Sequence, residues 1–248
     1  MAAFDLSRVN SEIRKRLEPF LADFTKIADF PFQAAYLIGP AARGEFNASK
    51  PELQICLVAD SYRPETLEAI ASLGRKHGKA GIRAPLLLTP EHIQQARDVF
   101  PMSLLDLKHN HIPLAGVPLL DGIAISQMHL RWECEREARL ARLHMRQAYL
   151  SSAGDAAWMA RWFADEVVLL FPIFRAVLHL LGEEAKSGNT ESAERLSEKT
   201  GVPLESFVAV WALRKTGKTP AVSAVKQLYV EWDEAMRQLI GKIDALPA

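Results

Sequence analysis

Two stretches of this sequence have residue types and spacings suited to holding an anion. The first is Gly39-Pro40-Ala41-Ala42-Arg43-Gly44, directly after the apolar run Ala34 to Ile38. A strand that ends in a glycine-rich turn and opens a helix presents backbone N–H groups, a general way to cradle phosphate oxygens. Gly39, Arg43 and Gly44 are therefore candidate binding residues; the plainer alternative is a glycine at a tight turn and an arginine capping something nearby. The second is a row of arginines. At about 100° per residue, Arg131, Arg139, Arg142 and Arg146 share one narrow helical arc with Glu135. Leu130, Cys134, Ala138, Ala141 and Met145 flank it on one side, and Trp132, Leu143 and Leu150 on another. Arg139 and Arg142 could grip phosphate oxygens in a bidentate way at a cleft wall. Equally, Glu135 stands one turn from both Arg131 and Arg139, as in a salt-bridged exposed face. His109 and His111 alternate like ligands at a strand end, yet nothing nearby completes a site, and they read as surface residues.

The elements that must position these groups can be read from periodicity. Residues 5–28 place Leu6, Val9, Ile13, Leu17, Leu21 and Phe24 at helical spacing, which predicts an amphipathic first helix. Ala34 to Ile38 and Leu53 to Ala59 are short apolar runs bounded by Gly, Pro and Asp, as buried strands are. Arg63 to His77 predicts a helix, Ala84 to Leu88 a strand, and Thr89-Pro90-Glu91 the capped start of a short helix to Asp98. Ser103 to His109 reads as a further strand, with Leu105 and Leu107 facing one side and Asp106 and Lys108 the other. Beyond Gly116-Val117-Pro118 the period is helical, with helices expected at 126–152, 156–181, 191–200, 203–215 and 221–244. Trp158 and Trp162 read as core residues. This places an α/β half at 1–120 and a helical half at 121–248.

Composition excludes several classes. Lys and Arg together number 30, as do Asp and Glu, so no long basic groove for nucleic acid is indicated. Cys56 and Cys134 are far apart with no histidine cluster, which supports neither a disulfide framework nor a zinc site. Charges at Asp5, Arg8, Glu12, Arg14 and Lys15 stand where a secretory segment would be apolar. The apolar stretch Val167 to Leu181 is broken by Pro172, Arg175 and His179, short of the roughly 20 apolar residues a membrane span needs. A cytoplasmic protein without a membrane segment is expected.

The longer pattern Tyr36 to Phe46, followed by Leu53-Gln54-Ile55-Cys56-Leu57-Val58-Ala59, resembles the nucleotidyltransferase superfamily. Members typically carry Gly-Ser and often Ala-Arg-Gly after the first strand, an Asp-x-Asp pair opening the next, and a third carboxylate on a later strand. The likeness extends through Pro85 to Glu91, Asp98 to Pro101, Leu105 to Lys108 and Leu130 to Glu137. There the chain is similar to a bacterial group of nucleotidyltransferase-domain proteins with helical C-terminal halves. The resemblance implies an α+β fold, a small mixed sheet with helices followed by an all-helical domain. It implies Mg²⁺-dependent transfer of a nucleotidyl group from a nucleoside triphosphate to an acceptor. By position, Glu52 and Asp106 would hold Mg²⁺ and act as the catalytic carboxylates, with Gly39, Arg43 and Gly44 at the phosphates. Two positions depart from the pattern. Pro40 replaces the serine, removing a hydroxyl and an N–H donor, and Gln54 replaces the second aspartate with a neutral, poorer ligand for a hard cation. Two functional readings follow: a divergent nucleotidyltransferase, or a module that binds a nucleotide, another anion or a protein partner and has lost transferase chemistry. In the second, the helical half is a candidate surface for a partner or a second copy.

Overall fold

The computed structural model describes residues 4–27 and 31–247. The chain divides into two compact units, Met1–Arg97 with Leu107–Ala124, and Asp98–Asp106 with Ile125–Ala248.

In the first unit, α1 (Ser11–Phe24) begins where the Asn10 side chain accepts the Ile13 N–H. The residues before it do not extend the helix; the Asp5 N–H donates to the Leu114 carbonyl instead. Residue 28, the end of the predicted first helix, lies outside the described residues. Strands β1 (Phe32–Ile38), β2 (Gln54–Ala59), β3 (Leu86–Leu88) and β4 (Ile112–Gly116) form one sheet in the order β3-β2-β1-β4. β1 is antiparallel to β2 and β4, while β2 and β3 are parallel and joined through α2 (Pro64–His77). The sheet is therefore mixed. Ala35 and Leu37 of β1 and Ile55 and Leu57 of β2 project to the face that meets Ile13, Leu17, Phe20 and Phe24 of α1. Ile70 and Leu73 of α2 complete this core. The two helices are also clasped by Asp23, which accepts from Lys76 at 2.6 Å, His77 at 2.8 Å and Lys26 at 2.9 Å. These donors, Lys76 foremost, hold its carboxyl well below the usual aspartate range. At the other edge Gly116 has φ +85°, and a Cβ there would meet the Gln33 carbonyl oxygen at 1.9 Å, so only glycine lets β4 close on β1.

α3 (Pro90–Gln95) starts at the Thr89 cap as expected. The expected strand at Ser103 to His109 is instead the body of α4 (Pro101–His109), and the strand lies after it, at Ile112–Gly116. The Leu105/Leu107 alternation imitates a strand, but Pro101 opens a helix and the helical pair Leu104 and Leu105 is what becomes buried. Pro113, which lacks an N–H, obscures β4 in the sequence; it is tolerated because β4 is an edge strand.

The second unit contains Pro101–Asp106 of α4 and five long helices: α5 (Gln127–Ser151), α6 (Ala156–Leu180), α7 (Asn189–Thr200), α8 (Glu205–Lys215) and α9 (Val225–Asp244). α5 and α6 start at side-chain caps from Ser126 and Asp155. α6 is buried on most of its circumference, and its core partners include Phe207 of α8 and Trp232 of α9. Phe207 stacks on Trp232 with centroids 4.3 Å apart, and Phe163 meets the same ring edge-on at 4.8 Å. Trp162 packs against this core, but Trp158 does not: it is 37% exposed on the outward face of the first turn of α6, whose inward face carries Ala156, Met159 and Ala160 into the core. Among the described residues no helix is long and apolar enough to cross a membrane.

Glu133 of α5 reaches the start of α4 and accepts the Met102 N–H at 2.6 Å. Burial raises its carboxyl above the ordinary glutamate range, with the Met102 hydrogen bond partly offsetting that. A carboxyl with a raised folded pKa favours the fold fully below its unfolded pKa, and that contribution is lost as pH rises through the folded value. Glu133→Gln keeps an oxygen for Met102 and removes the ionisation. Its urea midpoint should therefore match the natural chain below about pH 4 and exceed it at about pH 7. Parallel pH curves for the two proteins would count against this role.

Candidate functional site

The glycine-rich turn is built by the end of β1. Ile38 is the last strand residue, Gly39 takes φ +73°, and Gly39–Ala41 form a single 3-10 turn rather than the start of an α-helix. The N–H groups of Ala42 and Arg43 both donate to the Gly39 carbonyl, at 3.1 and 3.2 Å, and that of Glu45 donates to Pro40 at 2.9 Å. Three potential phosphate donors are thus used within the turn, and Pro40 has none to give. Gly44, at φ +78°, closes no backbone hydrogen bond within it. Arg43 approaches Glu45 at 3.5 Å with both side chains buried, so its charge is balanced locally.

Register brings the second candidate group here. Ile38 pairs with Gln54, and the Gln54 Oε1 lies 3.6 Å from where a Cβ on Gly39 would stand. The turn and the position of the second expected carboxylate are therefore neighbours. Glu52, just before β2, is half-buried, and its Oε1 accepts from Arg83 at 2.6 Å. Arg83 was not legible as its partner: the two are 31 positions apart and meet because Leu53 bridges to Ile82.

Asp106 is not on a strand. It sits on α4 in the second unit, where Arg175 Nε donates to its Oδ1 at 2.7 Å. Arg175 is 2% exposed and also donates to Asn189 Oδ1 at 2.8 Å. The strands that follow β2, Leu86–Leu88 and Ile112–Gly116, carry no acidic residue. The groups around the turn are thus two carboxylates, Glu45 and Glu52, each already beside a guanidinium, and one neutral amide. A Mg²⁺ ion in such folds needs several hard anionic oxygens, and these residues do not fit it. Among the described residues no group of three or more His, Cys, Asp or Glu side chains could hold a metal.

The arginine row is assembled as a helix clasp. Arg142 grips Asp233 of α9 with Nε and Nη2, both at 2.7 Å, and Arg146 reaches the same carboxylate at 3.4 Å. Arg139 binds Glu135 at 2.7 Å, and Arg131 approaches it at 3.4 Å. The Arg142 hydrogen bonds hold the Asp233 carboxyl below its usual range. His111 is tied to the Leu107 carbonyl at 2.8 Å and meets the Tyr36 ring edge-on, so it is a packed residue rather than a surface one.

No family model matches the chain, and no curated protein matches it in sequence. Among solved structures it is similar to the spectinomycin adenyltransferase AAD(9) from Enterococcus faecialis, solved with ATP and spectinomycin. That likeness covers 92% of this chain and 96% of the other, at 9% identity and a TM-score of 0.51. It supports a nucleotidyltransferase-like α+β fold, a small mixed sheet followed by a helical region.

Proposed function

We propose that this chain is a nucleotide-binding module on a nucleotidyltransferase-like fold that has lost transferase chemistry. The observation that carries the reading is the charge count at the turn: Gln54 stands at the second carboxylate position, β3 and β4 supply no third, and Glu45 and Glu52 are balanced by Arg43 and Arg83. Transferring a nucleotidyl group requires cations to balance charge that develops on the phosphates, and cations require anionic ligands. On this reading the candidate phosphate contacts are the Gly44 N–H and the Arg43 guanidinium, with Gly39 shaping the turn, since the Ala42, Arg43 and Glu45 N–H groups are spent within it. The adenyltransferase of similar fold was solved with ATP, and a nucleoside triphosphate is the ligand class assigned here by that analogy.

Calorimetric titration with the four nucleoside triphosphates, with and without Mg²⁺, tests the reading. Binding by the natural chain should be insensitive to Mg²⁺. The double variant Pro40→Ser/Gln54→Asp restores a hydroxyl, an N–H and a carboxylate on a preformed turn. With Mg²⁺ present it should bind about 10- to 100-fold more tightly, the equivalent of roughly 1–3 kcal/mol for a charge-assisted contact. Nucleotidyl transfer by the natural chain at ordinary rates, abolished by Glu52→Ala, would show that the enzyme reading is the correct one. No nucleotide binding by either protein would show that the turn has drifted from phosphate recognition.

A further inference from the structure

The first unit holds a groove of about 720 Å³ whose lining includes none of Gly39, Arg43, Gly44 or Gln54. One wall is α2, where Leu67, Ala71 and Gly74 recur at helical spacing on one face, continued by Gly78 just past its end. The opposite wall is the segment Arg83 to Leu87, which leads into β3, and buried Phe20 and Ile82 also line the groove. Gly74 and Gly78 do not make room for a packed neighbour, since a Cβ on either would meet nothing within 4 Å. A glycine inside a helix costs about 1 kcal/mol relative to alanine, and no contact in the fold offsets that at Gly74. The small face of α2 keeps the groove open.

Three properties of the groove select its occupant. First, β3 is an edge strand, and no strand pairs with its outer side among the described residues. Second, the helical wall from Leu67 to Gly78 runs about 16 Å at about 1.5 Å per residue, the length of roughly five extended residues. Third, the groove has a charged end. The chain leaves α2 through Gly78 and Lys79 and pairs Ile82 with Leu53, so Lys79 and Arg83 lie where β3 approaches, and Leu67 lies toward the other end. Lys79 has no ion pair among the described residues, and Arg83 remains largely exposed while bound to Glu52.

The geometry points to an extended, apolar peptide segment that adds to the outer edge of β3, runs antiparallel to it, and sets its terminal carboxylate beside Lys79 and Arg83. Main-chain hydrogen bonds to the edge supply affinity and alternate side chains enter the groove. An acyl chain with an acid head would match the groove's length and charge, but it has no N–H or C=O groups for the strand edge. The C-terminus of α2 itself carries partial negative charge, so the two basic side chains and not the helix hold the carboxylate. This assignment uses none of the turn residues Gly39, Arg43 and Gly44, and it shares with the nucleotide reading only Arg83, through its pair with Glu52.

A library of random pentapeptides with free C-termini, selected on the immobilised full chain and on its Gly74→Leu variant, tests it. Leucine enters open space and is the better helix former, so the variant should fold with an equal or higher melting temperature. Peptides apolar at alternate positions should enrich on the natural chain and not on the variant. A labelled member should bind about tenfold more weakly as its C-terminal amide, or to Lys79→Glu, the scale of one charge-assisted hydrogen bond. Equal enrichment on both proteins, or no enrichment, overturns the proposal. Saturable binding of dodecanoate that Gly74→Leu abolishes, with no peptide enriched, would assign the groove to an acyl chain instead.

Discussion

Replacing Arg175 by Ala should destabilise the helical unit by up to about 3–5 kcal/mol, the cost of breaking a fully buried ion pair from one side, water relieving part of it because the Asp106 side chain is 26% exposed. The guanidinium is 2% exposed on α6 and donates both to Asp106 on α4 and to Asn189 at the start of α7. Its loss takes one donor from the Asp106 carboxylate and one from the Asn189 amide, and it empties part of the bundle. Arg175→Met with Asp106→Leu removes both charges while keeping volume, so the double variant should lose less than Arg175→Ala alone, since apolar replacements of buried pairs are often near neutral. Urea unfolding followed by circular dichroism measures both. If Arg175→Ala unfolds at the natural midpoint, Asp106 is not held by this network and its role needs another explanation.

Trp232→Ala should cost a similar 3–5 kcal/mol, the range for removing a buried aromatic ring. The indole is 1% exposed between Phe207 and Phe163, at the point where α6, α8 and α9 meet. Trp232→Phe should be far milder. The indole N–H is buried with no hydrogen-bond partner among the described residues, and an orphaned donor of that kind costs about 1–3 kcal/mol. Phenylalanine removes the orphan and keeps an aromatic ring against Phe207, which offsets part of the cavity left by the second indole ring, so the loss should be well below that of Trp232→Ala. A Phe variant as unstable as the Ala variant would mean that the indole N–H is satisfied after all.

Long periodic segments were legible from the sequence because one physical signal, apolar residues on a helical face, dominates them: α5, α6, α8 and α9 lie close to their expected spans. β1 and β2 were legible for a similar reason, being short apolar runs buried on both faces. α4 and β4 were not. Each is short, and in each the local pattern and the breaking residue point opposite ways: Leu105 and Leu107 alternate inside a helix, while Pro113 sits inside a strand. The candidate site divides along the same line. Gly39, Gln54 and the turn between β1 and β2 are fixed by neighbouring strands, and the sequence places them together. The partners that decide their chemistry are tertiary: Arg83 for Glu52, Asp233 for Arg142, Arg175 for Asp106. Spacing along the chain carries no trace of those pairings. One clue was present, since an arginine in the middle of the apolar run Val167 to Leu181 must find an anion wherever it is buried.

The interleaving of the two units has a consequence for inheritance. Asp98–Asp106 belongs with the helical unit although the chain returns to the sheet unit at Leu107 before leaving it again after Ala124. A gene fragment beginning near residue 121 would encode α5 to α9 without the segment that gives Glu133 its amide and Arg175 its carboxylate. A fragment ending near residue 97 would lack β4, the strand whose Gly116 closes on β1. No single breakpoint yields two whole halves, so shuffling by one crossover cannot exchange either unit for a homologue's. The pair should be transmitted and lost together, and a chimaera that exchanges one unit whole needs three junctions, at 97/98, 106/107 and 124/125, the second of them inside α4.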